Sequence, residues 1–284
     1  MGRETALKRG ATQMKPGIYH GISNADYHGG EGISKTGLDR INRCPAYYMH
    51  CKTQPRKETP ALVFGRAIHT AILEPHLFAA EYAVAPDVDR RTKAGKEAYA
   101  EFMLECGDKT ILTADQYARA EAIQAAVYAH PAAAALIEGN GLNEASVFWS
   151  DTASGVLCKC RPDRLRDDHI VVDVKTTQNA SPEAFMRDAY NYRYHVQAAY
   201  YMDGVAAATG HRPPAFVFLA VESEPPHLVA CYMAGDDMVA LGEQEYRLNL
   251  DLYAECMRSG VWGGYGERVQ PLGLPAWAIK KLEF

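Results

Sequence analysis

RPDRLRDDHIVVDVKTT, residues 161–177, decides how this chain is read. Val171 and Val172 open a strand, and an acid and a lysine, Asp173 and Lys175, then follow two positions apart. Strand side chains alternate faces, so these two project to one side. Asp163 ends the preceding β-rich run, GVLCKCRPD (155–163). The link RLRDDH is short, so the two strands should pair antiparallel and bring Asp163 beside Asp173. Two carboxylates at one point repel unless a cation lies between them. Oxygen ligands suit a hard divalent ion, Mg2+ or Mn2+. Lys175 beside it would steady an attacking hydroxide and the charge growing on a phosphate. For the strand alone, a structural Asp–Lys ion pair is an equal reading; Asp163 tilts the balance toward a metal site.

Outward from this stretch, ASVFWSD (145–151), GVLCKCRPD and HIVVDVKTT (169–177) read as a three-stranded meander. On the N-terminal side, residues 1–16 are polar and basic and read as a mobile arm, and 17–34 are rich in glycine and turn residues. A helix follows to about 52, with Ser34 or Thr36 at its start and an interruption at Pro45. Another helix runs from 62 to 74. A basic loop carrying Arg90, Arg91, Lys93 and Lys96 leads into helix, and an Ala-rich helical stretch over 113–137 splits near Pro131. On the C-terminal side, one long helical stretch runs from Ser181 to Gly210. Strands over 214–223 and 227–235, a helix over 236–258 and an irregular tail complete the chain. The order predicts a single α/β domain over 17–284, a central mixed β-sheet flanked by helices.

The 284 residues are ample for one large core. A net charge of -5 argues against a purely electrostatic nucleic-acid binder, though not against an enzyme whose acids hold cations. No apolar run is long enough to span a bilayer and no signal core follows the start, so a cytoplasmic protein with no membrane partner is expected. Seven scattered cysteines point to reduced thiols. Cys158 and Cys160 share a strand face but lack a second pair at zinc spacing.

Pro162-Asp163 followed by Asp173-Val174-Lys175 resembles the signature of the PD-(D/E)XK nuclease superfamily. GRAIHTAILEP (65–75) resembles the GxxxHxxxE-type helix of its RecB-like and lambda-exonuclease-like branch, and YRYHVQAAYY (192–201) its QxxxY helix. GIYHGISNADYH, ISKTGLDRINRCPAYY, RRTKAGKE and CKCRPD resemble the RecE exonuclease domain, exodeoxyribonuclease VIII. The likeness spans about residues 17–280. It implies that Asp163, Asp173, His69 and the Val174 carbonyl hold the metal, with Lys175 the catalytic lysine. His69 otherwise reads as a partly buried helix histidine. Glu74 lies about 140° round the helix from it and is left at the helix end. Gln197 and Tyr201, at i and i+4, share a face with Tyr194. The resemblance sends the Gln to the active site and the Tyr to DNA; a surface stripe is the alternative. Glu144, opening the meander, is a candidate acid just outside the ligand set. Ser34, Lys35 and Thr36 begin a helix where the lambda-type enzymes hold a 5′-phosphate, or simply cap it. Arg90 and Arg91 track a DNA backbone or form a solvated loop.

The activity implied is a Mg2+-dependent (Mn2+ substituting) 5′ to 3′ exonuclease on linear double-stranded DNA. It releases mononucleotides and leaves 3′ single-stranded tails for recombination. A ring-shaped homo-oligomer, a tetramer, a RecT-type single-strand annealing partner and a prophage or phage origin are implied as well. No iron–sulfur cluster is expected, because only Cys231 and Cys256 follow the QxxxY helix, far apart. A structure-specific or single-strand RecB-like nuclease, and a catalytically silent DNA-binding scaffold, are the alternatives.

Overall fold

The structure, a computed structural model, describes residues 14–54 and 58–275. All but residues 14–16 of the expected N-terminal arm lie outside the described residues, as does the tail beyond 275. The chain opens with β1 (Gly17–Tyr19), α1 (Asn24–Gly29), α2 (Lys35–Arg43), α3 (Pro45–Thr53) and α4 (Pro60–Leu73). Then come α5 (Pro75–Glu81), β2 (Tyr82–Val84), α6 (Lys93–Cys106), β3 (Thr110–Leu112), α7 (Ala114–Ala129) and α8 (Pro131–Ile137). The β-rich part holds β4 (Gly141–Asn143), β5 (Ser146–Ser150), β6 (Leu157–Cys160), β7 (Arg164–Arg166) and β8 (Val171–Thr177). It is followed by α9 (Pro182–Asn191), α10 (Tyr194–Thr209), β9 (Phe216–Glu222), β10 (Val229–Met233) and α11 (Asp236–Ser259).

The central sheet has the order β10-β9-β8-β7-β4 and is mixed: β8 and β9 run parallel, every other neighbouring pair antiparallel. A parallel pair needs a crossover, and α9 with α10 supplies it. Alternation along β8 splits the core in two. Val171 packs with Phe216 and Phe218 under α9 and α10, while Val172 and Val174 pack with Leu219 and Val221 under α4 and α7. Each buried Val contributes about 1.5–3 kcal/mol, which holds β8 in place despite the charged residues it carries.

The meander does not form as expected. β5 and β6 pair with β1 in a separate three-stranded sheet, whereas β7 and β8 belong to the central one. Pro162 has no N–H for a ladder, and the strand breaks over residues 161–163. Asp163 therefore lies between two strands rather than at the end of one, and part of the expected link RLRDDH is the strand β7. The antiparallel pairing survives: Arg164 faces Val172 and Leu165 faces Val171. The long helical stretch from Ser181 also divides, because Arg193 takes a left-handed conformation (φ 55°, ψ 45°). Its guanidinium is fixed by Asp39 (3.0 Å) and Glu245 (2.9 Å). The breaks at Pro45 and Pro131 fall where expected, and Ser34, not Thr36, caps α2.

Helix α10 is buried on nearly every side, as a helix apolar all round must be. A Cβ on Gly242 of α11 would stand 2.0 Å from the His195 carbonyl oxygen, so the two helix backbones touch there. Residues 17–34, rich in glycine and turn residues, contain β1 and α1, and the part around α1 is strapped to β6 and the residue after it. Lys159, 4% exposed, donates to the carbonyls of Tyr27 (2.6 Å) and Gly30 (2.7 Å). Arg161 donates to the Ile22 carbonyl (2.9 Å) and to Asn24 Oδ1 (3.0 Å). The seven cysteines are free thiols, Cys158 and Cys160 within the core. No helix among the described residues is long and apolar enough to cross a membrane.

Candidate active site

Two crossings of the chain build a corner between the larger sheets. At Glu144, in the left-handed region (φ 50°), the chain passes from β4 to β5; over 161–163 it passes from β6 to β7. A non-glycine residue there is uncommon. The Glu144 N–H donates to the Asp163 carbonyl (3.0 Å), which ties the crossings together. Helix α4 brings His69 to the same point, its Nδ1 3.5 Å from Asp163 Oδ2. His69, Glu144 and Asp163 each offer a ligand atom within 4.8 Å of the others. Glu144 is thus inside the cluster, between strands, and not an acid beyond it at a strand start.

Asp173 and Lys175 lie on the β8 face covered by α10. Asp173 is 1% exposed. An unpaired buried carboxylate costs several kcal/mol, and this one is met from two sides. Lys175 Nζ lies 2.5 Å from its Oδ2, and Gln197 Nε2 donates to its Oδ1. Lys175 also donates to Gln197 Oε1 (3.0 Å), closing a ring of three side chains. The Lys175 ammonium sits 4.6 Å from the centre of the Tyr194 ring. Val174 is joined to Asp163 through its N–H, which donates to Oδ2 at 2.7 Å and couples β8 to the cluster.

The charges respond to one another. Burial, with Asp163 adding to it, pushes Glu144 up to about 7. Burial and Asp163 likewise raise Asp173 to about 6, against the pull of Lys175. Burial opposes the charged form of His69, yet the carboxylates around it, Asp163 foremost with Glu144 and Asp173, together lift the imidazole to about 9. Burial also works against Lys175, and Asp173 and Asp163 still hold its ammonium above the usual range. Against burial, His69 holds Asp163 below the usual carboxylate range, while Glu144 beside it retains a proton near neutrality, the mark of a site short of positive charge. Two carboxylates and an imidazole at this spacing are a donor set that fits a divalent cation.

Around this centre, Ser34 Oγ accepts the Gly37 N–H (3.3 Å) and caps α2, and Thr36 is exposed in its first turn. Lys35 binds Asp39 and the Tyr192 carbonyl, both at 2.8 Å. Burial disfavours its ammonium and Lys175 adds to this, so the two lysines feel each other. Tyr201 is half-buried with its ring against Phe216 (6.2 Å), so Gln197 and Tyr201 are not a surface stripe. Glu74 lies near enough to repel Glu144 but outside the trio. Arg90 and Arg91 make their contacts within their own segment, Arg90 over the Tyr99 ring (4.0 Å) and the Arg91 N–H on Asp89 Oδ1 (2.9 Å). An open cavity of about 1110 Å³ near Gly155, Val156 and Met257 shares no residue with the cluster.

Residues 34–273 match the family described as "PDDEXK-like domain of unknown function (DUF3799)". The chain belongs to this family. The core of this PDDEXK-like domain is therefore of the expected PD-(D/E)XK type, built on a mixed α/β fold. Its fold is similar to that of a candidate exonuclease from Eubacterium rectale, with TM-score 0.55 at 14% identity over 90% of this chain and 94% of that one. An alkaline exonuclease from Laribacter hongkongensis matches at 18% identity over 66% of this chain and 96% of that one. Its TM-score is 0.28, too low to carry an argument. No curated protein is significantly similar to this PDDEXK-like domain in sequence.

Proposed function

We propose that this PDDEXK-like domain hydrolyses DNA phosphodiesters with a divalent cation, Mg2+ with Mn2+ as substitute. The observation that carries the reading is the junction of two groups of side chains. His69, Glu144 and Asp163 converge within 4.8 Å, and the Asp163–Val174 hydrogen bond joins them to the Asp173–Lys175–Gln197 ring. His69, Asp163 and Glu144 would hold the cation, with Asp173 and the Val174 carbonyl as further ligands. The cation supplies polarisation of the phosphate and a lowered pKa for water. Lys175, kept charged by Asp173 and aimed by Gln197, meets the negative charge that grows on the phosphate oxygens. Free N–H groups in the first turn of α2, with Ser34, Lys35 and Thr36, would receive a terminal phosphate. Arg90, Arg91 and Tyr201 would contact DNA farther along.

The finer reading follows the RecE-like segments. It is a 5′ to 3′ exonuclease on linear duplex DNA, releasing mononucleotides and leaving 3′ tails for recombination. The enzyme would work in the cytoplasm as a ring-shaped tetramer, with a RecT-type annealing protein as partner and a prophage as its origin. The test is digestion of linear duplexes bearing 5′-phosphate or 5′-hydroxyl ends, beside circular duplex and single strands, with Mg2+. Mononucleotides from linear duplex only, faster from 5′-phosphate ends, are expected. Cleavage of circles or preference for single strands would replace this reading with a structure-specific or single-strand nuclease. No cleavage with any divalent metal would leave a DNA-binding scaffold.

A further inference from the structure

Tyr192 is 60% exposed, and its surroundings hold it in place. Its ring stacks on Tyr194 (centroids 5.7 Å apart, 29° between planes), and Tyr194 is the ring that Lys175 Nζ approaches at 4.6 Å. Its carbonyl accepts Lys35 Nζ at 2.8 Å. The next residue, Arg193, is clamped to Asp39 on α2 and Glu245 on α11. An exposed aromatic side chain on its own needs no explanation. This one is fixed from three directions and stands one ring outward from the lysine that faces the candidate metal cluster.

We infer that Tyr192 is a stacking platform for a DNA base, the base next to the phosphate that Lys175 faces. The inference rests on the nuclease reading and goes beyond it by giving the substrate base a subsite. Every base has a π-face, so an aromatic platform holds a nucleotide without selecting its sequence. Lys35, bound to the Tyr192 carbonyl, and Lys175, against the neighbouring Tyr194 ring, are cations that suit the phosphates near such a base. A platform one step from the scissile phosphate would draw an end base out of its pair and set the register for each cut.

The experiment uses the full chain and a linear duplex with 2-aminopurine at its 5′-terminal position, with Ca2+ replacing Mg2+ to hold the complex uncleaved. Wild type and Tyr192→Phe should quench the fluorophore by stacking; Tyr192→Leu, which keeps bulk and loses the π-face, and Tyr192→Ala should not. With Mg2+ and unmodified duplex, Tyr192→Ala and Tyr192→Leu should raise KM roughly ten- to hundred-fold and change kcat little. Equal quenching by all four proteins, or a loss of kcat at constant KM, would overturn the platform while leaving the nuclease reading intact. A wild type that neither binds nor cuts DNA would overturn both. Unaltered DNA handling by Tyr192→Ala with loss of a protein complex would make this face a partner surface and overturn the inference.

Discussion

Lys175 is held by Asp173 and Gln197 and carries no metal ligand of its own. Its loss should separate chemistry from metal binding. Lys175→Met should lower the cleavage rate about 100- to 1,000-fold, while Mn2+ affinity measured by calorimetry stays near that of wild type. A parallel loss of both would make Lys175 a structural support only. The protons in the cluster define a second outcome. Glu144 stands at about 7 against an ordinary 4.5, and His69 at about 9 against 6.5. Below those values each group keeps a proton that a cation must displace. Mn2+ affinity should therefore climb as pH rises through 7 and on toward 9, with protons released. Calorimetry in two buffers of unlike ionisation heat measures the release, and Glu144→Gln should weaken binding and remove the step near 7. Affinity that is flat with pH would contradict the assignment of these ligands.

At the scale of elements, α10 carries Gln197 to the candidate active site, and its position depends on α11. Alanine at Gly242 tests this, with alanine at Gly65 as the contrast. Gly242→Ala puts a Cβ against the His195 carbonyl, and overpacking of this kind costs about 1–3 kcal/mol or more. Gly65 lies inside α4 with open space at its Cβ position, and alanine there should stabilise by about 0.5–1 kcal/mol. Thermal melts should thus move in opposite directions, and only Gly242→Ala should also reduce cleavage, by displacing Gln197. Equal shifts would mean that the α10–α11 contact does not set the helix position. At this scale the sequence was legible where proline speaks: the stops at Pro45 and Pro131 were plain. The division of α9 from α10 was not, because Arg193 is an ordinary helix former. Its left-handed turn depends on Asp39 and Glu245, far away in the chain.

For the whole molecule, a net charge of -5 sets a constraint on the proposed function. A duplex is a dense anion, so the proposed binding would need cations, with Lys35, Lys175, Arg90 and Arg91 as the candidates, on one path. Closure of several copies into a ring would gather those paths around a channel and leave the acids outside. Sedimentation should give a mass four times that of the chain. Affinity for linear duplex should fall steeply with added salt as counterions are released. A monomer with salt-insensitive binding would contradict both the ring and the phosphate path.

The sequence by itself determined the local pieces of this protein. The alternation of β8 set Asp173 and Lys175 on one face, the short link brought Asp163 toward them, and Gln197 read as part of the same site. The first two inferences need only backbone periodicity and chain length between strands, whereas Gln197 was sent to the site by the resemblance of its helix to the QxxxY helix. The tertiary structure alone decided the rest. It split the meander between two sheets at Pro162 and drew Glu144 into the cluster through a left-handed residue and a hydrogen bond to Asp163. It also set Asp173 in a closed ring with Lys175 and Gln197 instead of among the trio. Such choices rest on contacts between distant segments, which no local spacing encodes.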